Sequence, residues 1–378
     1  MIKTILDNFN CAEYIEPFLL CTFILALIIS YSSFAPLMYV AIKKQLVDVP
    51  DSRSEHSKIV PTLGGVSVFI SLVLVMSLAG ALLNSRMFLI LTGGTTMLFF
   101  LGLKDDLIVL SPKKKFLGQL LVSFLLVIIT DTRLIGFSNI FSVVELPYVV
   151  SVLFTVFVFI LIINAYNLID GVDGLAGSVA LCAAIVFGVL FYQTGNNDAA
   201  TVAFILAGAL IPFLRVNFSS KRKMFMGDTG SMIIGFLLAF FAVRFIADSQ
   251  VNETSIYYNS APVISIAVLF FPLLDTLRIF IIRIFVLKTS PFQADKNHIH
   301  HHLVKLGLNH KKTTAVVVLI NALVIVIAFM LVNIEIHFQL ALLIVLGTML
   351  FTLPFAIKAK RRVTIKKVVA KKQQLDSV

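Results

Sequence analysis

Asn164, Asn167, Asp170 and Asp173 follow one another at three-residue intervals, with Gly171, Gly174 and Gly177 among and after them. Residues three apart are neighbours on a helical turn, so two amides and two carboxylates share one small surface. Oxygen donors of this kind suit magnesium, whose sites commonly combine one or two carboxylates with substrate phosphates. A lone Asp-Gly pair signals only a turn; two such pairs flanked by two Asn are far more specific. The glycines allow a chain break or the close approach of a ligand. The stretch lies between two apolar runs, where polar groups are costly and usually functional.

Other polar segments carry chemistry of their own. Asp105 and Asp106 are adjacent at the end of an apolar run, and two such carboxylates are best tolerated beside cations. Lys113, Lys114 and Lys115 follow and supply either that counter-charge, a phosphate contact or simple membrane anchoring. Asp228 precedes a further apolar run. It reads either as a helix cap or, with Gly227, Gly230 and Phe225 beside it, as part of a ligand site. Arg53 and Lys58 belong to a loop of mixed charge, either a solvated segment or a basic lip over an anion. Asp275 and Arg278 can pair at i, i+3 within an apolar run, as a buried structural pair or as catalytic groups, and Pro272 should bend that helix. Asp295 is followed by His298, His300, His301 and His302. Four His in five positions could bind a transition metal, but no HExxH motif or cysteine accompanies them. With hard oxygen ligands elsewhere, a phosphate or sugar contact is the better reading.

The elements that position these groups are membrane spans. The chain has 378 residues, is 59% hydrophobic and has a mean hydropathy of +0.99, which places it among polytopic membrane proteins. With 34 Phe and no Trp, an interfacial aromatic belt must come from Tyr and Phe. Cys11, Cys21 and Cys182 fit no zinc or disulfide framework. The apolar run 18–42 is too long for a signal-peptide core and has no cleavage site, so it is the first span. Ten more follow at 64–84, 87–103, 116–130, 148–163, 175–192, 199–214, 230–247, 262–287, 313–332 and 338–357. The expectation is an all-α bundle of about 11 transmembrane helices, a single domain over 1–357 with a basic tail over 358–378.

Alternate loops plus the tail hold 25 of the 31 Lys and Arg; the opposite side holds Lys3, Arg86, Arg133 and Arg244. The positive-inside rule then places the N-terminus outside and the C-terminus in the cytoplasm. The net charge of +11 follows from these loops and calls for no nucleic acid; the tail lies on anionic lipid headgroups. Every loop with suggestive chemistry falls on the cytoplasmic side, which favours an enzyme over a pathway lined from both sides. An ion or metal transporter is the rival reading, with Asp275, Arg278 and Arg283 as its intramembrane groups. A CDP-alcohol phosphotransferase lacks support because its longer run of spaced aspartates is missing.

Pro61-Thr62-Leu63-Gly64-Gly65, Asp105-Asp106, Asn164 to Gly177, Met226 to Ser231, Pro272 to Thr276 and Asp295 to His301 together resemble the polyprenyl-phosphate N-acetylhexosamine-1-phosphate transferases. The resemblance covers roughly residues 45–305, with the motifs in family order. The His-Ile-His-His order resembles the N-acetylglucosamine-1-phosphate branch rather than the phospho-MurNAc-pentapeptide transferases. It implies transfer of sugar-1-phosphate from a UDP-N-acetylhexosamine to undecaprenyl phosphate in the bacterial cytoplasmic membrane, with UMP released. It implies magnesium, with manganese as a substitute, and is compatible with a homodimer. By the same resemblance Asp105, Asp106, Asp170 and Asp228 are catalytic, with Asp105 and Asp106 at the acceptor phosphate. Asp228 and Asn167 are metal-associated. Phe225 stacks on uracil and Asp173 hydrogen-bonds it, Lys115 contacts the diphosphate, and Asp295, His298, His300 and His301 line the sugar-phosphate side. Lys296 stands where many relatives have Arg, which weakens a bidentate contact there.

A phosphate monoester has its second pKa near about 6, so the acceptor is mostly a dianion at neutral pH. Asp105 and Asp106 are therefore expected to position the acceptor or organise the site rather than remove a proton.

Overall fold

The computed structural model describes residues 14–48, 60–137, 145–252, 255–290 and 298–375. Thirteen α-helices run in chain order: α1 Ile15–Lys43, α2 Gly64–Leu83, α3 Arg86–Ile108, α4 Pro112–Thr130, α5 Tyr148–Leu168, α6 Leu175–Gln193, α7 Asn197–Asn217, α8 Gly227–Val251, α9 Ala261–Val268, α10 Phe270–Ile281, α11 Ile299–Lys305, α12 His310–Met330 and α13 Ile336–Leu375. A π-helical turn, Ile282–Val286, extends α10. Two short strands, β1 Val47–Asp48 and β2 Val60–Pro61, pair antiparallel with Val47 opposite Pro61.

Among the described residues nine helices are long and apolar enough to cross a membrane, and α9 with α10 forms a tenth, broken span bent by 78°. The eleven runs expected from hydropathy thus reduce to nine whole spans and one broken one. The remaining run is α4, whose first turn carries Lys113, Lys114 and Lys115 and leaves it short of a full apolar crossing. The last span and the basic tail are a single helix through Leu375.

Helix α8 is the centre. Phe236, Phe240, Phe241 and Phe245 on it are all fully buried, and a helix apolar on all sides belongs inside a bundle. Phe187 and Phe191 of α6 stack with each other and meet Phe241 and Phe245 at centroid distances of 6.1–6.3 Å. The outer helices present Leu20, Ile24, Ile28, Leu74, Leu78 and Leu153 at their surfaces, as lipid-facing helices do. Lipid gives no hydrophobic drive for helix association, so small residues and interhelical hydrogen bonds carry it. Ser30 of α1 donates to the Ala209 carbonyl of α7 at 2.8 Å, and Ser71 of α2 donates to the Ala26 carbonyl of α1 at 2.7 Å.

The bend at α9–α10 has an identifiable cause. Pro272 has no N–H to reach the carbonyl four residues back, that of Val268, and its ring crowds that carbonyl. The chain breaks at Leu269. Asn321 of α12, itself buried, repairs the break from the side. Its amide donates to the Val268 carbonyl at 3.1 Å, and its Oδ1 accepts the Phe271 N–H at 3.0 Å. The bend expected at Pro272 is present, centred three residues earlier.

Replacing Asn321 with Ala leaves both backbone groups unpaired in a dry interior. Each such group costs about 1–3 kcal/mol, so Asn321→Ala is expected to lower resistance to unfolding in mixed micelles, followed by far-UV circular dichroism. An unchanged midpoint would show that the break needs no bridge.

Candidate active site

The site forms because several helices run past their apolar segments. Hydropathy ends the spans at 103 and 163 and starts one at 230, but α3 continues to Ile108, α5 to Leu168, and α8 begins at Gly227. Asp105, Asp106, Asn167 and Asp228 thereby sit on helix ends rather than in loose loops, and rigid elements hold a site more closely than loops.

The start of α8 is the meeting point. Gly65 N–H bonds the Met226 carbonyl and Gly64 N–H the Phe225 carbonyl, both at 2.9 Å, while Phe225 N–H bonds Pro61 O at 2.8 Å. The helices come so close that a Cβ on Gly65 would stand 2.2 Å from Gly230 N. This contact gives the Pro61 to Gly65 segment its part: it seats α2 against α8.

Asp106 reaches across from α3. Its carboxylate accepts the Asp228 N–H at 2.7 Å, the Thr229 N–H at 3.0 Å and the Thr229 hydroxyl at 2.6 Å. Free N–H groups at a helix start require such acceptors. The capping reading of Asp228 is therefore corrected: Asp106 caps α8 from another helix, and the Asp228 carboxylate is turned to other partners. Asn167 donates to Asp228 Oδ1 at 2.7 Å and to Ser231 Oγ at 2.8 Å. Lys115, on the first turn of α4, bridges Asp228 and Asp105, the latter at 2.5 Å. Asp105 also accepts the Leu110 N–H at 2.6 Å, which fixes the turn between α3 and α4. The adjacent carboxylates thus point to different tasks, and Lys115 supplies the counter-charge their repulsion demands. Lys113 and Lys114 stay exposed.

Asp170 lies in the turn after α5. Burial raises its pKa well above the usual carboxylate range, and the charges of Asp228, Asp106 and Asp173 push it further the same way. The tyrosine hydroxyl of Tyr166 bonds the Ala176 carbonyl and closes this turn from behind.

Asp173 faces a second wall. Lys223 pairs with it at 2.7 Å and His310 at 3.0 Å, and the Thr314 hydroxyl donates to its carbonyl at 2.7 Å. Burial opposes its charge, but the His310 and Lys223 contacts outweigh burial and hold the carboxyl below its ordinary range. The Lys223 ammonium also lies 5.0 Å from the centre of the Phe225 ring, so Asp173 and Phe225 border one cation. Asn217 joins the two loops, accepting the Gly174 N–H at 2.5 Å and donating to the Met224 carbonyl at 2.8 Å.

The histidines form a third wall. His298 Nδ1 lies 2.9 Å from Asp275, and the His300 and His301 ring centres are 4.3 Å apart. Asp275 accordingly turns to the histidine segment; of the two readings open for it, the pair with Arg278 gives way to one with His298. Burial and the charges of His300 and His298 push the His301 pKa down to about 3. His302 points away, edge-on to Phe355 of α13 at 6.4 Å. Arg53, Lys58 and Asp295 lie outside the described residues.

Asp105, Asp106, Lys115, Asn167, Asp170 and Asp228 therefore converge, with Asp173 and Phe225 on one flank. Lys223, Asn217, His310 and Thr314 carry the second wall without having been singled out. Lys223 ends the charged run Lys221-Arg222-Lys223, a signal visible in the sequence; His310 and Thr314 stand over 130 residues from Asp173 and gave none.

Residues 88–246 match the family model described as glycosyl transferase family 4. A probable undecaprenyl-phosphate N-acetylglucosaminyl 1-phosphate transferase of Bacillus subtilis is 33% identical over 313 residues, 81% of this chain and 83% of the relative. The chain belongs to this family. An undecaprenyl-phosphate alpha-N-acetylglucosaminyl 1-phosphate transferase of Yersinia pestis is 31% identical over 76% of this chain and 77% of its own length. A decaprenyl-phosphate N-acetylglucosaminephosphotransferase of Mycobacterium tuberculosis is 31% identical over 78% of each. The matched segment contains the start of α8 with Asp105, Asp106, Lys115 and the Asn164 to Gly177 stretch.

His301 is neutral in the folded protein down to about pH 3, whereas an unfolded histidine takes up a proton below about 6.5. The unfolded state then binds more protons, so this residue's share of stability is present above that pH and is lost as pH falls from about 6.5 toward 3. Thermal melting measured across that window should fall less steeply for His301→Gln than for the native chain; parallel curves would show His301 to be freely protonated.

Proposed function

We propose that this membrane protein transfers N-acetylglucosamine-1-phosphate from its UDP-sugar to undecaprenyl phosphate, giving the lipid-linked diphosphate sugar and UMP. The observation that carries the reading is the convergence of Asp105, Asp106, Asp170, Asp228, Asn167 and Lys115 at one end of the bundle, in a chain whose relatives are named for this reaction. The Lys and Arg distribution supports placing that end at the cytoplasmic face of the bacterial inner membrane, where UDP-sugars are found. The product would be the first intermediate of a surface polysaccharide.

The donor set fits magnesium. The charges of Asp228, Asp106 and Asp173 act on Asp170, the neighbouring Asn167 adds an amide, and all are hard oxygen ligands. Asp228 and Asn167 would hold the ion, with Asp170 beside them. When bound, magnesium supplies positive charge to the diphosphate and to the departing UMP.

The chain's own residues do the rest. An oxygen of the acceptor phosphate attacks the sugar-bearing phosphorus of the UDP-sugar as the bond to the UMP oxygen breaks, so no proton need leave the acceptor dianion. Phe225 and Asp173 border the uridine pocket, with Lys223 between them to meet negative charge. Lys115 sits where a diphosphate would compete with Asp105 and Asp228 for its ammonium. Asp106 keeps the start of α8, and with it Asp228, in place. His298, His300 and His301 line the sugar side. Alignment of a membrane-fixed acceptor with a soluble donor is the larger part of such catalysis.

Membranes carrying the protein, supplied with undecaprenyl phosphate, magnesium and labelled UDP-N-acetylglucosamine, should release UMP and yield an acid-labile lipid product; release of UDP would mean that the sugar alone moves and would overturn the reading. Asp105→Asn and Asp106→Asn should both lower the rate at every pH. Full recovery of either variant in alkaline buffer would identify that carboxylate as a general base instead.

A further inference from the structure

Asp275 is fully buried on α10, just beyond the break that Asn321 bridges. Its Oδ1 accepts the Ile299 N–H at 2.8 Å. Its Oδ2 faces His298 Nδ1 at 2.9 Å and His300 Nδ1 at 3.6 Å. The His298 and His300 rings lie nearly parallel, 15° apart with centroids 5.3 Å from each other. An ionised carboxylate only accepts hydrogen bonds, so the proton between Asp275 and His298 sits on Nδ1. The bond that one ring nitrogen makes decides what the other can offer. On the far side of the pair, His300 Nε2 lies 3.1 Å from where a Cβ on Gly171 would stand. The ring therefore abuts the turn that carries Asp170 and Asp173. His300 is fully buried, and among the described residues neither of its nitrogens has a hydrogen-bond partner. A sealed imidazole with an unpaired N–H is costly, and a substrate oxygen at that turn would relieve it.

We propose that Asp275 is a positioning residue for the transfer: its one carboxylate ties down the start of α11, fixes His298 in the Nδ1–H tautomer, holds His300 parallel to it, and so leaves the Nε2 atoms for the sugar-phosphate. The inference deepens the transfer reading and rests on it for the identity of the substrate. The path is physical at each link. Asn321 holds the bend, the bend places α10, Asp275 on α10 captures the first turn of α11, and the imidazoles meet the Gly171 turn. Asn in place of Asp275 has a single acceptor oxygen for two donors, and its amide N–H₂ favours the opposite tautomer.

The test uses the full chain in lipid nanodiscs with ¹⁵N-labelled histidine. The sequence has seven histidines, and His298→Gln and His300→Gln assign the two signals. The expected result is Nδ1–H at His298 in the native protein and a shift toward Nε2–H in Asp275→Asn. The same variant should lose kcat on the order of 100-fold, as misplacement of a positioning group does, with a much smaller change in KM for the UDP-sugar. Asp275→Glu should keep the Nδ1–H tautomer and recover part of kcat. Nε2–H at His298 in the native protein overturns the proposal without recourse to any variant. So does an Asp275→Asn protein with native tautomer and native kcat. A stoichiometric transition metal in the purified protein, lost in Asp275→Asn, also overturns it, because the ligand atoms of Asp275, His298 and His300 lie within 4.8 Å of one another and would then be a metal site. Should the native protein transfer nothing from any UDP-sugar, the transfer reading fails, while the tautomer measurement still decides the role of Asp275.

Discussion

Mutual repulsion among carboxylates is the constraint on which the active end of this protein depends. Asp105, Asp106, Asp170 and Asp228 gather at the start of α8, and burial, with the charges of Asp228, Asp106 and Asp173, raises the Asp170 pKa above the usual carboxylate range. Three of the four have partners that offset this repulsion. Asp106 has the helix start, Asp105 and Asp228 share Lys115, and Asp228 also takes the Asn167 amide. On the proposed function, the same crowding that is expensive without a substrate would receive a cation, and a diphosphate would meet a field already arranged for it.

The bundle exists to keep that arrangement from relaxing. Buried phenylalanines fix α8 along its whole length, and backbone contacts between Gly65 and the α8 start leave no room for the helices to slide. The broken α9–α10 span serves the opposite end of the same requirement. A straight helix at this position would follow its apolar run across the bundle; the bend redirects it and lets Asp275 seize the histidine segment. Asn321 makes the bend tolerable by pairing the Val268 carbonyl that Pro272 strands and the Phe271 N–H at the start of α10.

Much of this was legible in the sequence. The three-residue spacing marked Asn167 and Asp170, which lie by Asp228, though Asn164 instead donates to Gln119 and Asp173 pairs with Lys223; the apolar runs marked the bundle, and Pro272 marked the bend. These signals are local: hydropathy, side-chain chemistry and a missing N–H are properties of a few consecutive residues. The same local signals misplaced the helix ends, because hydropathy reports where lipid is, whereas a helix continues wherever its hydrogen bonds do. They also left two alternatives open for each of Asp228 (cap or ligand site) and Asp275 (pair with Arg278 or catalytic group), since both were judged only against their nearest neighbours in the chain.

The sequence by itself therefore determined that this is a polytopic helical membrane protein with an acidic, amide-rich stretch between two of its apolar runs. Only the tertiary structure decided who holds whom. Asp106 caps a helix more than 120 residues away, Lys115 stands between two carboxylates of different helices, His310 and Thr314 of α12 grip Asp173, and Asp275 takes His298. The reason is that charge pairing and the satisfaction of buried polar groups act through space over a few ångströms, and which groups come that close is set by the packing of whole helices.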